Sequence, residues 1–195
     1  MNLDENALVL DVLEASRQPG VMIDVGAHGG STALPFLEHG WRVVGLEPNP
    51  ERHSRLRQLS AEYDAFTLLT CAAGKERSEA ARFYTSTESS GISSLVPFRD
   101  SHADAGAVPV RTLRDILEEI PVDRVDYLKV DVEGFDLHVL QGFPFDRFKP
   151  KAVMAEFEDL KTKHAGYSFD DLGNFLLDQG YAEYVSEWAP IERYG

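Results

Sequence analysis

Val21-Met22-Ile23-Asp24-Val25 is a short apolar run that ends in Gly26-Ala27-His28-Gly29-Gly30 and leads into a further apolar-polar stretch. That is the order of a buried parallel strand, a tight turn and a helix, and it points to an open α/β sheet. Gly26 can adopt a backbone conformation closed to other residues, so a ligand can approach the main chain there. Gly29 and Gly30 are expected to open the helix, whose free N–H groups then face the same space. Glu47 ends the next apolar run, about 21 residues after Gly26, where such a sheet sets a carboxylate against ribose hydroxyls. The pairing predicts a bound nucleoside, against the plainer reading of a glycine-rich turn in some other α/β fold.

The glycine spacing narrows the ligand. A dinucleotide fingerprint reads G-x-G-x-x-G, its second glycine making room for a pyrophosphate. Here His28 holds that position, and Asp24 precedes the first glycine. A buried acid beside the turn repels a pyrophosphate and suits a ligand with a cationic end. S-adenosylmethionine, with an ammonium, a sulfonium and no phosphate, fits. An NAD-dependent oxidoreductase would share the fold and Glu47, and a nucleoside-binding module without transfer activity would share the pocket.

Composition bounds the rest. The 195 residues, 43% hydrophobic, suit one domain over 1–195, with a leading helix within 1–19 and the core over 20–190; a domain cut from a longer polypeptide is the alternative. No run approaches the roughly 20 apolar residues of a membrane span, and Met1 to Asn6 lacks a signal-peptide start, so a cytoplasmic protein is expected. The single cysteine, Cys71, agrees with a reducing compartment. With 33 acidic against 19 basic residues and a net charge of −14, nucleic acid is not an expected partner. The densest basic cluster, Arg52, His53, Arg55 and Arg57, reads as a solvated helix face. Oligomeric state is left open.

Along the chain, strands and helices alternate. A helix is predicted over 5–17 with Leu8, Val12 and Leu13 inward, then strands at 21–25, 41–47 and 66–71. Asn49-Pro50 starts a helix with a capping side chain and a proline at its first position. Residues 72–109 are less regular, with a strand at Arg82-Phe83-Tyr84 and a serine-rich loop. Thr112 to Asp115 reads as a capping box, followed by a strand at Val125–Val130, a helix through Phe135, Val139 and Leu140, and a strand at Lys151–Phe157. Ser168 to Asp171 is a second capping box opening a helix that Gly180 ends. Tyr181–Val185 and Trp188–Tyr194 read as a closing antiparallel pair, for seven strands in all beside the short one at Arg82–Tyr84.

Asp126-Tyr127-Leu128-Lys129-Val130-Asp131-Val132-Glu133-Gly134 sets a lysine and two carboxylates at alternate positions where a buried strand leaves the sheet. Alternation puts them on one side, and ligands in such sheets bind beyond the strands' carboxyl ends. Asp131 is therefore expected at the ligand's reactive end. The plainer reading is an internal Lys129–Asp131 ion pair with Glu133 capping the next helix.

Ile23-Asp24-Val25-Gly26-Ala27-His28-Gly29-Gly30, Glu47-Pro48-Asn49-Pro50, Thr112-Leu113, Lys129-Val130-Asp131-Val132-Glu133-Gly134 and Val139-Leu140-Gln141-Gly142 together resemble the FkbM family of S-adenosylmethionine-dependent methyltransferases. The resemblance spans roughly 20–190. It implies a class I Rossmann-like fold, a seven-stranded, mostly parallel sheet with helices on both faces, and O-methylation of a hydroxyl on a sugar, polyketide or related natural product. Two departures stand out: His28 where the family often has asparagine, and Asp136 for a frequent glutamate, a shorter carboxylate expected to keep its charge.

On this reading Gly26, Ala27, His28 and Gly29 hold the methionine part, Asp24 orients its ammonium and Glu47 grips the ribose. Pro48 and Asn49 stand beside Glu47, and Cys71, Ala72 and Ala73 border the adenine. The acceptor is a small molecule or glycan whose hydroxyl must lose a proton as the new bond forms. Asp131 is the first candidate base by location, with Glu133 beside it; His164, in the loop after strand five, and His28 are better matched in basicity. Asp131, Glu133 and Glu156 could hold magnesium, although strand-end acids alone do not establish it and no metal is assigned. Ser89–Ser94 and Asp159–Tyr167 are expected to frame the acceptor pocket.

Overall fold

A computed structural model of the chain describes residues 4–14 and 18–186. Its centre is a parallel sheet of five strands: β1 (Val21–Val25), β2 (Arg42–Leu46), β3 (Phe66–Leu69), β7 (Tyr127–Val130) and β8 (Ala152–Ala155), ordered β3-β2-β1-β7-β8. Three further strands, β4 (Ala72–Ala73), β5 (Ser78–Ser86) and β6 (His102–Arg111), form a separate sheet in which β4 runs parallel to β6 and β5 antiparallel. The chain order reverses at β1, which has β2 on one side and β7 on the other. That reversal opens the crevice in which ligands of such sheets bind.

Helices cover both faces. Alternation sends Met22, Val43 and Tyr127 to one side, against Leu10 and Leu13 of α1 (Glu5–Glu14), Phe36 and Leu37 of α2 (Ala33–Glu38), and Leu56 and Leu59 of α3 (Pro50–Glu62). Ile23, Val25, Leu46, Leu128 and Val130 face the other way. They meet α4 (Leu113–Glu119), α5 (Asp136–Gln141) and α7 (Phe169–Asp178) through Leu113, Ile116, Val139, Leu140 and Leu172. The remaining helix, α6 (Asp159–Ala165), follows β8.

Three of the expected starts are present. Asn49 accepts from the Glu51 N–H, Thr112 from the Asp115 N–H, and Ser168 and Asp171 form a reciprocal capping box.

The differences have local causes. In α1 the inward residues are Leu10 and Leu13, while Leu8 and Val12 are 48% and 62% exposed; the Tyr127 hydroxyl donates to Asn6 and fixes which stripe faces the sheet. Residues 15–17 of the expected helix lie outside the described residues. His53 is no solvated residue, since its Nε2 bonds the Glu47 carbonyl at 2.8 Å; Arg55 and Arg57 are exposed as expected. The central sheet has five strands rather than seven among the described residues. Tyr181–Val185 makes no ladder and is mostly exposed, and Trp188–Tyr194 lies outside the described residues. Asp159–Tyr167 is largely α6 rather than loop, ended by Gly166 at φ 83°.

Candidate active site

A cavity of about 290 Å³ opens where β1, β2 and β7 end, with the small sheet as its far wall. Val25 delivers the chain to Gly26, at φ 84°, a left-handed conformation that favours glycine. A Cβ there would lie 2.0 Å from the Asp131 carbonyl oxygen. The turn and the β7 exit thus meet through backbone, and only glycine permits it. His28, at φ 49°, repeats the left-handed conformation with a side chain present, a local strain that surrounding bonds must hold. The His28 N–H donates to Glu47 Oε2 at 2.8 Å, and the Asn49 N–H donates to Oε1 at 2.7 Å. This position suits asparagine, which tolerates a left-handed backbone well. Burial pushes the His28 imidazole below its ordinary range, helped by the charges of Arg52 and Lys129. Burial pushes Glu47 up, against the pull of the two N–H donors.

Of the residues expected at the cofactor, Gly26, Ala27, His28, Glu47, Pro48, Cys71, Ala72, Ala73 and Asp131 line the cavity. Gly29, Asn49 and Asp24 do not. Gly29 lies in the turn, because α2 opens at Ala33 rather than at the glycines. Asn49 is buried in its capping role. Asp24 is fully buried and ion-paired with Lys129 at 3.1 Å, so a ligand ammonium cannot reach it from the cavity. The Lys129 ammonium also donates to the Gly26 carbonyl at 3.0 Å and lies 3.5 Å from Asp131 Oδ2. Burial alone would drag it down, yet Asp24 and Asp131 together hold it above the usual lysine range.

The second constellation borders the same cavity. Asp131 and Glu133 both line the cavity, and the Asp131 side chain is 40% exposed. The plainer reading holds for the Lys129–Asp131 pair and fails for Glu133, which does not cap α5: its carboxylate reaches Lys161 at 2.6 Å. Burial pushes the Glu133 carboxyl up, as does Glu156, against the pull of Lys161. Asp136 instead receives the Gly134 N–H at 3.1 Å and the Val132 N–H at 3.4 Å. It is wholly buried, and desolvation, with Glu156 and Asp131, pushes its carboxyl up to about 8. The expectation that its shorter carboxylate simply keeps its charge does not hold.

Gly91, Ser93 and Ser94 of the serine-rich loop, with Leu95, line the wall at the 3-10 turn Ser90–Ile92. The Ser94 hydroxyl donates to the Glu133 carbonyl at 2.9 Å and ties the small sheet to the β7 exit. His164 takes no part: it sits exposed on α6, away from the cavity. Nor does the Asp159–Tyr167 segment line the cavity. Sequence reasoning missed Lys161. Its one signal was the Glu158-x-x-Lys161 spacing, which places the pair on one helix face.

The wall suits the expected methyl donor. The Gly26–His28 turn lines the cavity, Glu47 offers carboxylate oxygens, and the cavity's lysine is already committed to two carboxylates rather than free for phosphate.

A family profile described as the methyltransferase FkbM domain matches residues 24–182. No curated protein matches the chain. Among solved structures, the precorrin-6y C5,15-methyltransferase from Geobacter metallireducens GS-15 is similar in fold, with a TM-score of 0.50 and 17% identity over 93% of this chain and 77% of that one. The glycopeptide N-methyltransferase MtfA is 25% identical over 36% of this chain and 35% of its own, with a TM-score of 0.29.

Proposed function

The chain belongs to the FkbM methyltransferase family, and from that premise we propose that it transfers a methyl group from S-adenosylmethionine to a hydroxyl of a sugar, polyketide or related natural product. The observation that carries the reading is the meeting of Gly26, Glu47 and Asp131 on one cavity wall. Bound there, S-adenosylmethionine would supply a methyl group made electrophilic by its sulfonium.

The protein's own work is alignment and proton removal. The Gly26–His28 backbone holds the methionine part, Glu47 accepts from ribose hydroxyls, and Cys71, Ala72 and Ala73 border the adenine. With Asp24 sealed beneath Lys129, the ligand's cationic end is met by Asp131. Glu133 is the proposed base: it stands on the wall in the hold of Lys161, and burial pushes its carboxyl up towards the range where a general base works. Ser93 and Ser94 offer hydroxyls to a polar acceptor.

Isothermal titration with S-adenosylhomocysteine tests the core of this reading. Stoichiometric binding that Glu47→Ala weakens at least about tenfold is expected, the loss of one charge-assisted hydrogen-bonding group. Binding of NADH with no binding of S-adenosylhomocysteine would overturn it in favour of an oxidoreductase.

A further inference from the structure

Lys161 stands in the first turn of α6, only 2% exposed. Its ammonium lies 2.6 Å from Glu133 Oε2, 2.8 Å from Glu156 Oε1 and 3.0 Å from Glu158 Oε2. An ammonium has three N–H donors; here three carboxylates surround it, Glu156 Oε1 as a hydrogen-bond acceptor and Glu133 and Glu158 at ion-pair distance. The backbone is shaped to this contact. Glu133 at φ 59° and Gly134 at φ 91° are successive left-handed residues, and a Cβ on Gly134 would come within 2.7 Å of the Lys161 Cβ and 3.0 Å of its carbonyl carbon. The cavity-lining segment is thus pressed against the lysine that neutralises Glu133.

The same place has the donors of a metal site. Asp131, Glu133 and Glu156 bring carboxylate oxygens within 4.8 Å of one another, the hard oxygen set that magnesium or manganese takes. Two of those three carboxylates already hold the ammonium.

We infer that the Lys161 ammonium is the resident cation of this acidic cluster, a positioning residue that fixes the Glu133 carboxylate at the cavity wall where an oxygen-ligated divalent ion would otherwise be needed. A metal ion taking those oxygens would strand a buried ammonium without partners, which is costly. The charged groups facing Glu133 are Glu156, Lys161 and Asp131, and within the cluster Lys129 pairs only with Asp131, so losing Lys161 leaves Glu133 and Glu156 without an ion pair among the described residues and open to a cation.

The inference rests on the proposed reaction only for the meaning of Glu133 as its base. Manganese binding, followed by electron paramagnetic resonance on the full chain, tests it. The unsubstituted protein and Lys161→Arg are expected to bind no Mn²⁺ up to about 1 mM, the weak end of oxygen-ligated sites. Lys161→Met is expected to gain a site at least about tenfold tighter, which Glu133→Gln in the same chain removes. A stoichiometric Mn²⁺ site in the unsubstituted protein that Glu133→Gln abolishes overturns the inference, even if Lys161→Met does not fold. So does a folded Lys161→Met that gains no manganese. S-adenosylhomocysteine titrated into the same samples separates the questions: its failure to bind would sink the proposed reaction and leave the manganese result standing.

Discussion

Two residues show how little freedom the site leaves. Gly26→Ala puts a methyl group against the Asp131 carbonyl and a side chain on a left-handed backbone, which alone costs about 1–3 kcal/mol. Loss of S-adenosylhomocysteine binding and a lower urea midpoint are expected; binding within twofold of the parent would sink the cradle. Asp136 carries a pH signature. Its folded pKa, about 8, lies above the ordinary value of 3.8, so the folded state keeps a proton that the unfolded chain releases. Its contribution is therefore fully present below about pH 4 and is lost as pH rises towards 8 and above. Urea midpoints from pH 5 to 9 should fall with rising pH, and Asp136→Asn should flatten that slope. An equally steep slope in the variant would place the titration elsewhere.

Caps dominate at the level of elements. Thr112 satisfies the Asp115 N–H at the start of a helix that brings Leu113, Ile116 and Leu117 into the core. Thr112→Ala should cost about 1 kcal/mol in chemical unfolding, with no change in S-adenosylhomocysteine affinity because Thr112 is not on the cavity wall. The elements that could be read from sequence are those with such punctuation or with full burial: β1, β2 and β7, and the helices opened by Asn49, Thr112 and Ser168. The long β5–β6 pair was barely legible because most of its residues are exposed, and only Val108 and Val110 keep the alternation. Helix α6 hid for another reason. Its inward residues are Lys161 and Thr162, so polarity suggested loop where a buried ion network holds a helix. The site was legible to the same extent: the strand ends declared Gly26, Glu47 and Asp131, while the burial of Asp24 under Lys129 depends on a pairing between strands distant in sequence.

For the molecule as a whole, charge is the controlling quantity. A net charge of −14 repels itself in the compact state, and added salt shortens the reach of that repulsion from about 30 Å at 0.01 M to about 10 Å at 0.1 M. The exposed pairs Arg77–Glu79 and Arg82–Asp104 lose strength too, but such pairs contribute little. The buried Lys129 and Lys161 networks are screened far less. Melting temperature should therefore rise with sodium chloride, by about 2–4 °C for each kcal/mol of relieved repulsion; a falling melting temperature would mean that surface ion pairs outweigh the excess charge. No helix among the described residues is long and apolar enough to cross a membrane.

The position of β1 bears on how the chain comes to be folded. Met22 pairs with Val43 on one side, soon after it is made, but its other neighbour is Tyr127. At ribosomal speeds of about 5–20 residues per second, the strand carrying the glycine cradle spends on the order of 5–20 seconds with an open edge before β7 emerges to close it. The half-built sheet would expose Met22, Ile23 and Val25 through that interval, a standing opportunity for a chaperone and a hazard for aggregation. A nascent chain stalled before residue 127 should be protease-sensitive at β1, and one stalled after β8 has left the ribosome should not.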